Sequence, residues 1–520
     1  MRINCLLLSL LLGACTTMAP PDIHRTPLPV LDNTWYLEAR ADLQAALKRS
    51  VPARAQNVIL FVGDGMSLAT VTAARIRQGQ LAGNSGEENR LSFEQFPYVA
   101  LAKTYNTNAQ VPDSAGTATA MLSGVKTQIG VVGVDDRVRR GDCTSVAGSS
   151  VPSLLEHAED AGMATGVVTT TRITHATPAA AFAHVAERGW ESLATPDCPG
   201  IAAQLIAFTH GDTPEVVMGG GRSNFMPLNT ADPEYPDRSG RRDDGRDLIS
   251  EWQQRHGDRA AYVWNKGQFD GLDLSRHDRV LALFEPSHMQ YEADRDDSAA
   301  GEPSLSDMVT TAVKMLQKSE RGFFLLVEGG RIDHAHHGSN AYRALHDTIA
   351  MADAVAAARN LTSADDTLIV VTADHGHVME IAGYPYRGNP ILGKVVSIAA
   401  DGGKSAEYAR DASGKPYTTL VYGNGPGHVA PSDKQPEGVK KHPHSGSQHG
   451  AITGGRPDLT TVDTEHLDYL QESAVPLSYE THSGTDVAIY ADGPGAWLFQ
   501  GVHEQHYIFH VMAYALFGHN

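Results

Sequence analysis

Near-continuous apolar stretches at 58–62, 165–170, 323–327, 368–372 and 487–490 constrain this chain more than any other feature. A strand wetted on one face alternates apolar and polar residues. A strand without that alternation must be covered on both faces. Helical patterns follow several of these runs, notably at 305–318 and 340–360. That order predicts an α/β fold: a large, mostly parallel central sheet flanked by helices. A length of 520 residues allows one large domain with insertions or two to three smaller ones. Residues 383–476 depart from the pattern, being rich in Gly, Pro, Lys and His, with one better strand candidate at 418–422. They read as an insertion between the fourth and fifth runs. Their histidines, His428, His442, His444 and His449, lack regular ligand spacing, which favours a solvated loop over a metal site.

The acids fall where those runs end. Gly63-Asp64-Gly65 follows the first, Glu328 the third and Asp374-His375 the fourth, while His175-Ala176-Thr177 comes shortly after the second. In an open α/β sheet, ligands collect beyond the carboxyl ends of the strands. One such acid alone is more often a helix cap or a turn residue; the repetition weakens that reading. Asp333 and His337 are four apart, so a helical turn points them the same way. His482 arrives from a distant segment. Carboxylate with imidazole is a ligand set that zinc accepts. Ser114, in Asp113-Ser114-Ala115-Gly116-Thr117-Ala118-Thr119-Ala120, opens a helix of small residues, where backbone N–H groups favour negative charge. The plainer reading is that Asp113 or Ser114 merely caps the helix.

The N-terminus reads as a targeting segment. Arg2 precedes the apolar run CLLLSLLLGAC (5–15), too short for a bilayer at roughly 20 residues but right for a signal peptide. Leu12-Gly13-Ala14-Cys15 resembles a bacterial lipobox, predicting lipid on Cys15; ordinary cleavage near Ala19 is the alternative. With Cys5 removed and Cys15 lipidated, Cys143 and Cys198 remain, as one disulfide or as two free thiols. A net charge of -19 argues against nucleic acid as a partner. It says little about small anions, which metal ions can hold.

Five stretches together carry a family resemblance: VGDGM (62–66), DSAGTATA (113–120), VEGGRIDH (327–334), TADHGH (372–377) and ETHSGTDV (480–487). From about residue 55 onward the chain resembles alkaline phosphatases. The resemblance implies hydrolysis of phosphate monoesters through phosphorylated Ser114. It implies two zinc ions, one on Asp333, His337 and His482, the other on Asp64, Asp374 and His375. Magnesium would take Asp64, Thr177 and Glu328. Arg188 matches the arginine that grips phosphate; without the motifs it would read as a surface residue. His175 and His334 stand where animal-type enzymes carry histidines, and the pairing of Cys143 with Cys198 is implied by the same likeness. A calcium ion is implied on Glu234, the Phe284 carbonyl, Glu285 and Glu302, although the family has Asp where Glu302 stands and ordinary surface acids are the alternative. The likeness of YTTLVYGNGP (417–426) implies a crown-like insertion near the interface of a homodimer.

The predicted division is a signal segment and lipobox at 1–15, a tether at 16–35, an α/β core at 36–382 and 477–520, and the crown-like insertion at 383–476. The chain would be exported, periplasmic or at the cell surface, and lipid-anchored. A phosphodiesterase or sulfatase of the same broad superfamily is the rival enzyme, since those keep a related site with another nucleophile. A metal-binding surface lipoprotein without turnover is the non-enzymatic rival.

Overall fold

The apolar runs become the middle of a ten-stranded sheet. The structure, a computed structural model, describes residues 54–195, 198–427 and 455–518. In chain order the sheet strands are β1 (Asn57–Gly63), β2 (Tyr98–Lys103), β3 (Ala164–Arg172), β4 (Val216–Gly220), β5 (Ala260–Val263), β6 (Arg279–Leu283), β7 (Phe323–Gly329), β8 (Thr367–Ala373), β9 (Val487–Asp492) and β10 (Gly501–Glu504). Their spatial order is β10-β2-β9-β8-β1-β7-β3-β4-β6-β5. Only β9 is antiparallel to its neighbours; all other pairings are parallel. The expected large, mostly parallel sheet flanked by helices is therefore present.

Every residue of β1, β7 and β8 is buried, which explains their unbroken apolar sequence. Each covered Ile, Leu or Phe side chain contributes about 1.5–3 kcal/mol, enough to offset about 1–2 kcal/mol of backbone entropy per residue.

The helices used below are α1 (Leu68–Leu81), α2 (Ser114–Ser123), α3 (Leu305–Leu316), α4 (Arg331–His337) and α5 (Ala341–Leu361). The last two helical patterns read from the sequence correspond to α3 and α5. A capping box of Ser304 and Asp307 starts α3, and the Asn340 side chain caps α5. Between β8 and β9 the chain leaves the sheet. There it forms a small sheet of Met379–Ile381, Leu420–Gly425 and Ser473–Pro476, so the strand candidate at 418–422 is realised two to three residues further along. Cys143 and Cys198 form a disulfide, with Cα atoms 5.9 Å apart. Cys15, the 16–35 tether, His428, His442, His444 and His449 lie outside the described residues. Among the described residues no helix is long and apolar enough to cross a membrane.

Candidate active site and metal centre

Strand register brings the acids together. Gly63 pairs with Ala373 and Val62 with Glu328, so Asp64, Asp374 and Glu328 emerge at one level of the sheet's carboxyl edge. Thr169 pairs with Glu328 from the other side, and β3 then leads to His175 and the short helical turn Ala176–Ala179 that carries Thr177. After β7, α4 supplies Asp333 and His337. His482 is brought in by pairing of His482–Ser483 with Gly376–His377. Gly65 has φ of +72°, and a Cβ there would stand 2.4 Å from the His377 ring, so this turn needs glycine twice over.

Ser114 is the first residue of α2. Its Oγ lies 3.1 Å from His375 Nε2 and 3.3 Å from Asp64 Oδ1. Of the two cap candidates, Asp113 and Ser114, the serine is not the one used. Asp113 is, accepting from the Gly116 N–H at 3.1 Å. Asp113 Oδ2 also accepts from Arg188 Nη1 at 3.1 Å, and Arg188 Nη2 meets His175 Nε2 at 3.0 Å. Arg188 thus faces the serine's side of the cleft and is not a free surface arginine. Burial works against its charge, but Asp113, with Asp64 and Asp333 behind it, more than compensates.

His482 Nδ1 donates to the Pro112 carbonyl at 2.8 Å, and His337 Nδ1 to the Glu480 carbonyl at 2.5 Å. With Nδ1 donating, Nε2 is the nitrogen each ring can offer to a metal, and the two Nε2 atoms face each other at 3.2 Å. Asp333 adds Oδ1 at 3.4 Å from His482 Nε2 and Oδ2 at 3.4 Å from His337 Nε2. Lone pairs converge in this way around a cation, and edges of about 3.3 Å suit tetrahedral zinc. Burial and its imidazole neighbours push His337 down to about 4, so it is neutral, as a ligand must be.

Next to it, His375 Nε2 stands 3.4 Å from Asp64 Oδ1 and 3.2 Å from Asp374 Oδ2. Burial raises Asp64 well above the usual carboxylate range, and Asp374, Asp333 and Glu328 raise it further by repulsion. Glu328 is pushed up to about 7, chiefly by burial. Glu328 Oε1 and Thr177 Oγ1 are buried without hydrogen-bond partners. Such a set fits divalent cations, which would compensate its crowded negative charge.

Three groups among the described residues converge closely enough to hold an ion: Asp333, His337, His377 and His482; Asp64, Asp333 and His375; and Asp64, His175 and Glu328. The first contains the expected Asp333, His337 and His482 with His377 added. Asp333 stands in the second group beside Asp64 and His375, and His175 in the third beside Asp64 and Glu328. His334 packs 5.6 Å from His175 and meets Arg331 at Nδ1.

Sequence reasoning assigned nothing to His377 and Glu480, although both fall inside the quoted motifs. His377 Nε2 reaches Asp333 Oδ1 at 2.7 Å, and its Nδ1 pairs with Glu480. Burial opposes its charge, but Glu480 and Asp333 raise it to about 10. Its cationic form orients Asp333.

Away from this centre, Glu285 and Glu302 are buried rather than ordinary surface acids. Glu302 Oε1 accepts from the Gln290 N–H at 2.7 Å, and its Oε2 is buried without a partner. Glu285 accepts from Tyr235 and Gln290, and Glu234 pairs with Arg222 at 2.9 Å. Burial pushes Glu302 up to about 8, with further repulsion from Glu285 and Glu234.

A family model for alkaline phosphatase matches residues 55–517. The chain belongs to the alkaline phosphatase family. Curated relatives agree: it is 46% identical to the tissue-nonspecific alkaline phosphatase of Gallus gallus, over 98% of this chain and 93% of the relative. It is 45% identical to an alkaline phosphatase of Gadus morhua, over 95% and 98%. Among solved structures, the Thermus thermophilus alkaline phosphatase covers 92% of this chain and 96% of its own at 23% identity, with a TM-score of 0.62. The enzyme from the Antarctic bacterium TAB5 covers 90% and 100% at 21% identity, with a TM-score of 0.59, and shares the fold. This alkaline phosphatase family member is thus a hydrolase of phosphate monoesters, and the family implies divalent metal cofactors.

Proposed function

We propose that hydrolysis proceeds through a phosphoserine on Ser114, with two zinc ions and one magnesium ion in attendance. The observation that carries this is Ser114 Oγ beside His375 and Asp64, next to the facing Nε2 atoms of His337 and His482. One zinc would be held by Asp333, His337 and His482, the other by Asp64, Asp374 and His375, and magnesium by Asp64, Thr177 and Glu328. These ions would supply charge stabilisation for the phosphoryl oxygens and ease deprotonation of the serine and of water. Ser114 Oγ attacks phosphorus in line, the ester P–O bond breaks and the alcohol departs with a proton. Water then attacks the phosphoserine, the Ser114–phosphorus bond breaks, and Oγ regains its proton. Arg188 holds two nonbridging oxygens through its paired N–H groups, with Asp113 and His175 steadying it. His175 and His334 tune the magnesium neighbourhood without contacting substrate. In side-by-side assays a monoester should turn over at least about 100-fold faster than a diester or a sulfate ester. Comparable rates on either would instead support the rival superfamily reading.

The acids Glu234, Glu285 and Glu302, with the Phe284 carbonyl, we assign to calcium. The buried, unpartnered Glu302 Oε2 supports this. Without a cation, folded Glu302 keeps its proton to about 8 against an ordinary 4.5, so the folded state binds more protons between those pH values. Stability then falls as pH rises through that window. Calcium should flatten this slope, and Glu302→Gln should reduce it in the calcium-free protein. Melting curves at pH 5 to 8.5 that are indifferent to both changes would remove the assignment.

We further propose a homodimer, on the likeness of 417–426 to a crown segment, with 383–476 as the crown-like insertion and 36–382 with 477–520 as the core. Lipid on Cys15 would tether the exported chain to the periplasmic or outer surface. Cys15→Ser should then move the protein from the membrane fraction to the soluble one, and an unchanged distribution would exclude the anchor.

A further inference from the structure

Arg188 sits on a loop, and a loop arginine grips a small anion well only if something holds it still. The loop is fastened three residues later, at Glu191. That carboxylate is 13% exposed and collects donors from three separate places. Arg172, at the end of β3, forms a paired contact, Nε to Oε2 at 2.8 Å and Nη2 to Oε1 at 2.7 Å. Thr174 Oγ1 donates to Oε2 at 2.5 Å and Asn224 Nδ2 to Oε2 at 2.9 Å. The Asn224 amide also donates to Thr174 Oγ1 at 2.7 Å, closing the cluster.

The same arginine extends towards the site. Arg172 Nη1 lies 2.5 Å from His288 Nε2, and its backbone N–H donates to His288 Nδ1 at 3.2 Å. The His288 ring stands edge-on to His175 at 5.3 Å and packs on His334 at 4.1 Å. His175 is the residue that receives Arg188 Nη2. Glu191 therefore reaches the Arg188 guanidinium along two routes: through three residues of backbone, and through Arg172, His288 and His175.

From this arrangement we propose that Glu191 is a positioning residue for phosphate binding, which it controls by fixing Arg188 through Arg172 and His288. The inference rests on the assignment of Arg188 to phosphate. Glu191 touches neither substrate nor any candidate metal ligand, and its nearest effect is geometric. Its negative charge matters because Arg172 is partly buried, and a neutral partner would leave that cation uncompensated and free to drag His288 away from His175. A weakened Arg188 contact should cost affinity for the dianionic phosphate before it costs metal.

The test is a double-mutant cycle read by the inhibition constant of inorganic phosphate, with zinc and magnesium content measured on each protein. Glu191→Gln should weaken phosphate binding about tenfold at unchanged metal content, while Glu191→Asp, which keeps the charge, should recover most of the loss. In an Arg188→Ala background, adding Glu191→Gln should change the constant by less than about twofold. Equal weakening in both backgrounds would overturn the inference, as would wild-type affinity in Glu191→Gln. An Arg188→Ala protein that binds phosphate normally would overturn the phosphate assignment itself, and the inference with it. Loss of affinity in Glu191→Gln accompanied by loss of metal would also overturn it, because the residue would then be supporting the metal centre.

Discussion

Ser114→Ala should lower turnover of a phosphate monoester by at least about 10³-fold and leave no covalent phosphate on the chain. The hydroxyl is the only atom removed. Asp113 remains the cap of α2, through Gly116, so the helix start survives. His375 and Asp64 lose one neighbour at 3.1 and 3.3 Å but keep each other. Metal content should therefore stay at the wild-type level, and the loss should fall on the chemical step. Quenching the enzyme with substrate bound and measuring phosphate retained on the protein checks both halves. Turnover near wild type, or phosphate retained by the alanine protein, would refute a serine nucleophile.

Stripping divalent metals should have the second large effect, a fall in turnover of at least about 10³-fold together with a melting temperature lower by about 5 °C or more. Asp64, Asp374 and Glu328 are buried side by side and are raised above the usual carboxylate range chiefly by burial, with Asp374 adding repulsion on Asp64 and Glu328, and Asp333 on Asp374. Their repulsion, together with the facing imidazoles of His337 and His482, is the stress that bound cations relieve. Asp333 behaves oppositely. Burial would raise it, but the imidazoles around it, with His377 as the cation 2.7 Å away, hold it well below the usual range, so it stays an anion ready to bind metal. Zinc with magnesium should restore both readouts. A protein that keeps full turnover after exhaustive chelation, verified by elemental analysis, would end the metal-dependent reading.

The fold was legible where burial was symmetric. β1, β7 and β8 are covered on both faces, so their sequence admits almost nothing polar, and their boundaries could be read within one or two residues. β2, β5 and β10 were not read. They lie at or next to the sheet's edges; β2 and β10 expose residues and carry a mixed pattern, while β5 is only four residues long. β4 is wholly buried but short and ends in two glycines, which resembles a turn. At the site, the metal-ligating residue types were legible because they follow apolar strands. His377 and Glu480 were not, since each looks like an ordinary polar residue until the pairing of Gly376–His377 with His482–Ser483 brings them together.

By itself, the sequence determined that this is an α/β chain of the alkaline phosphatase family, with acids at the strand ends and a serine at a helix start. Strand periodicity and motif order are local properties, readable along one dimension. Only the tertiary structure decided which acids share a space and which histidine nitrogens face one another. It also decided that Glu191 and Arg172 fasten the loop of Arg188. Those are matters of register and side-chain direction between segments up to several hundred residues apart, and distance through space has no signature in the order of residues along the chain.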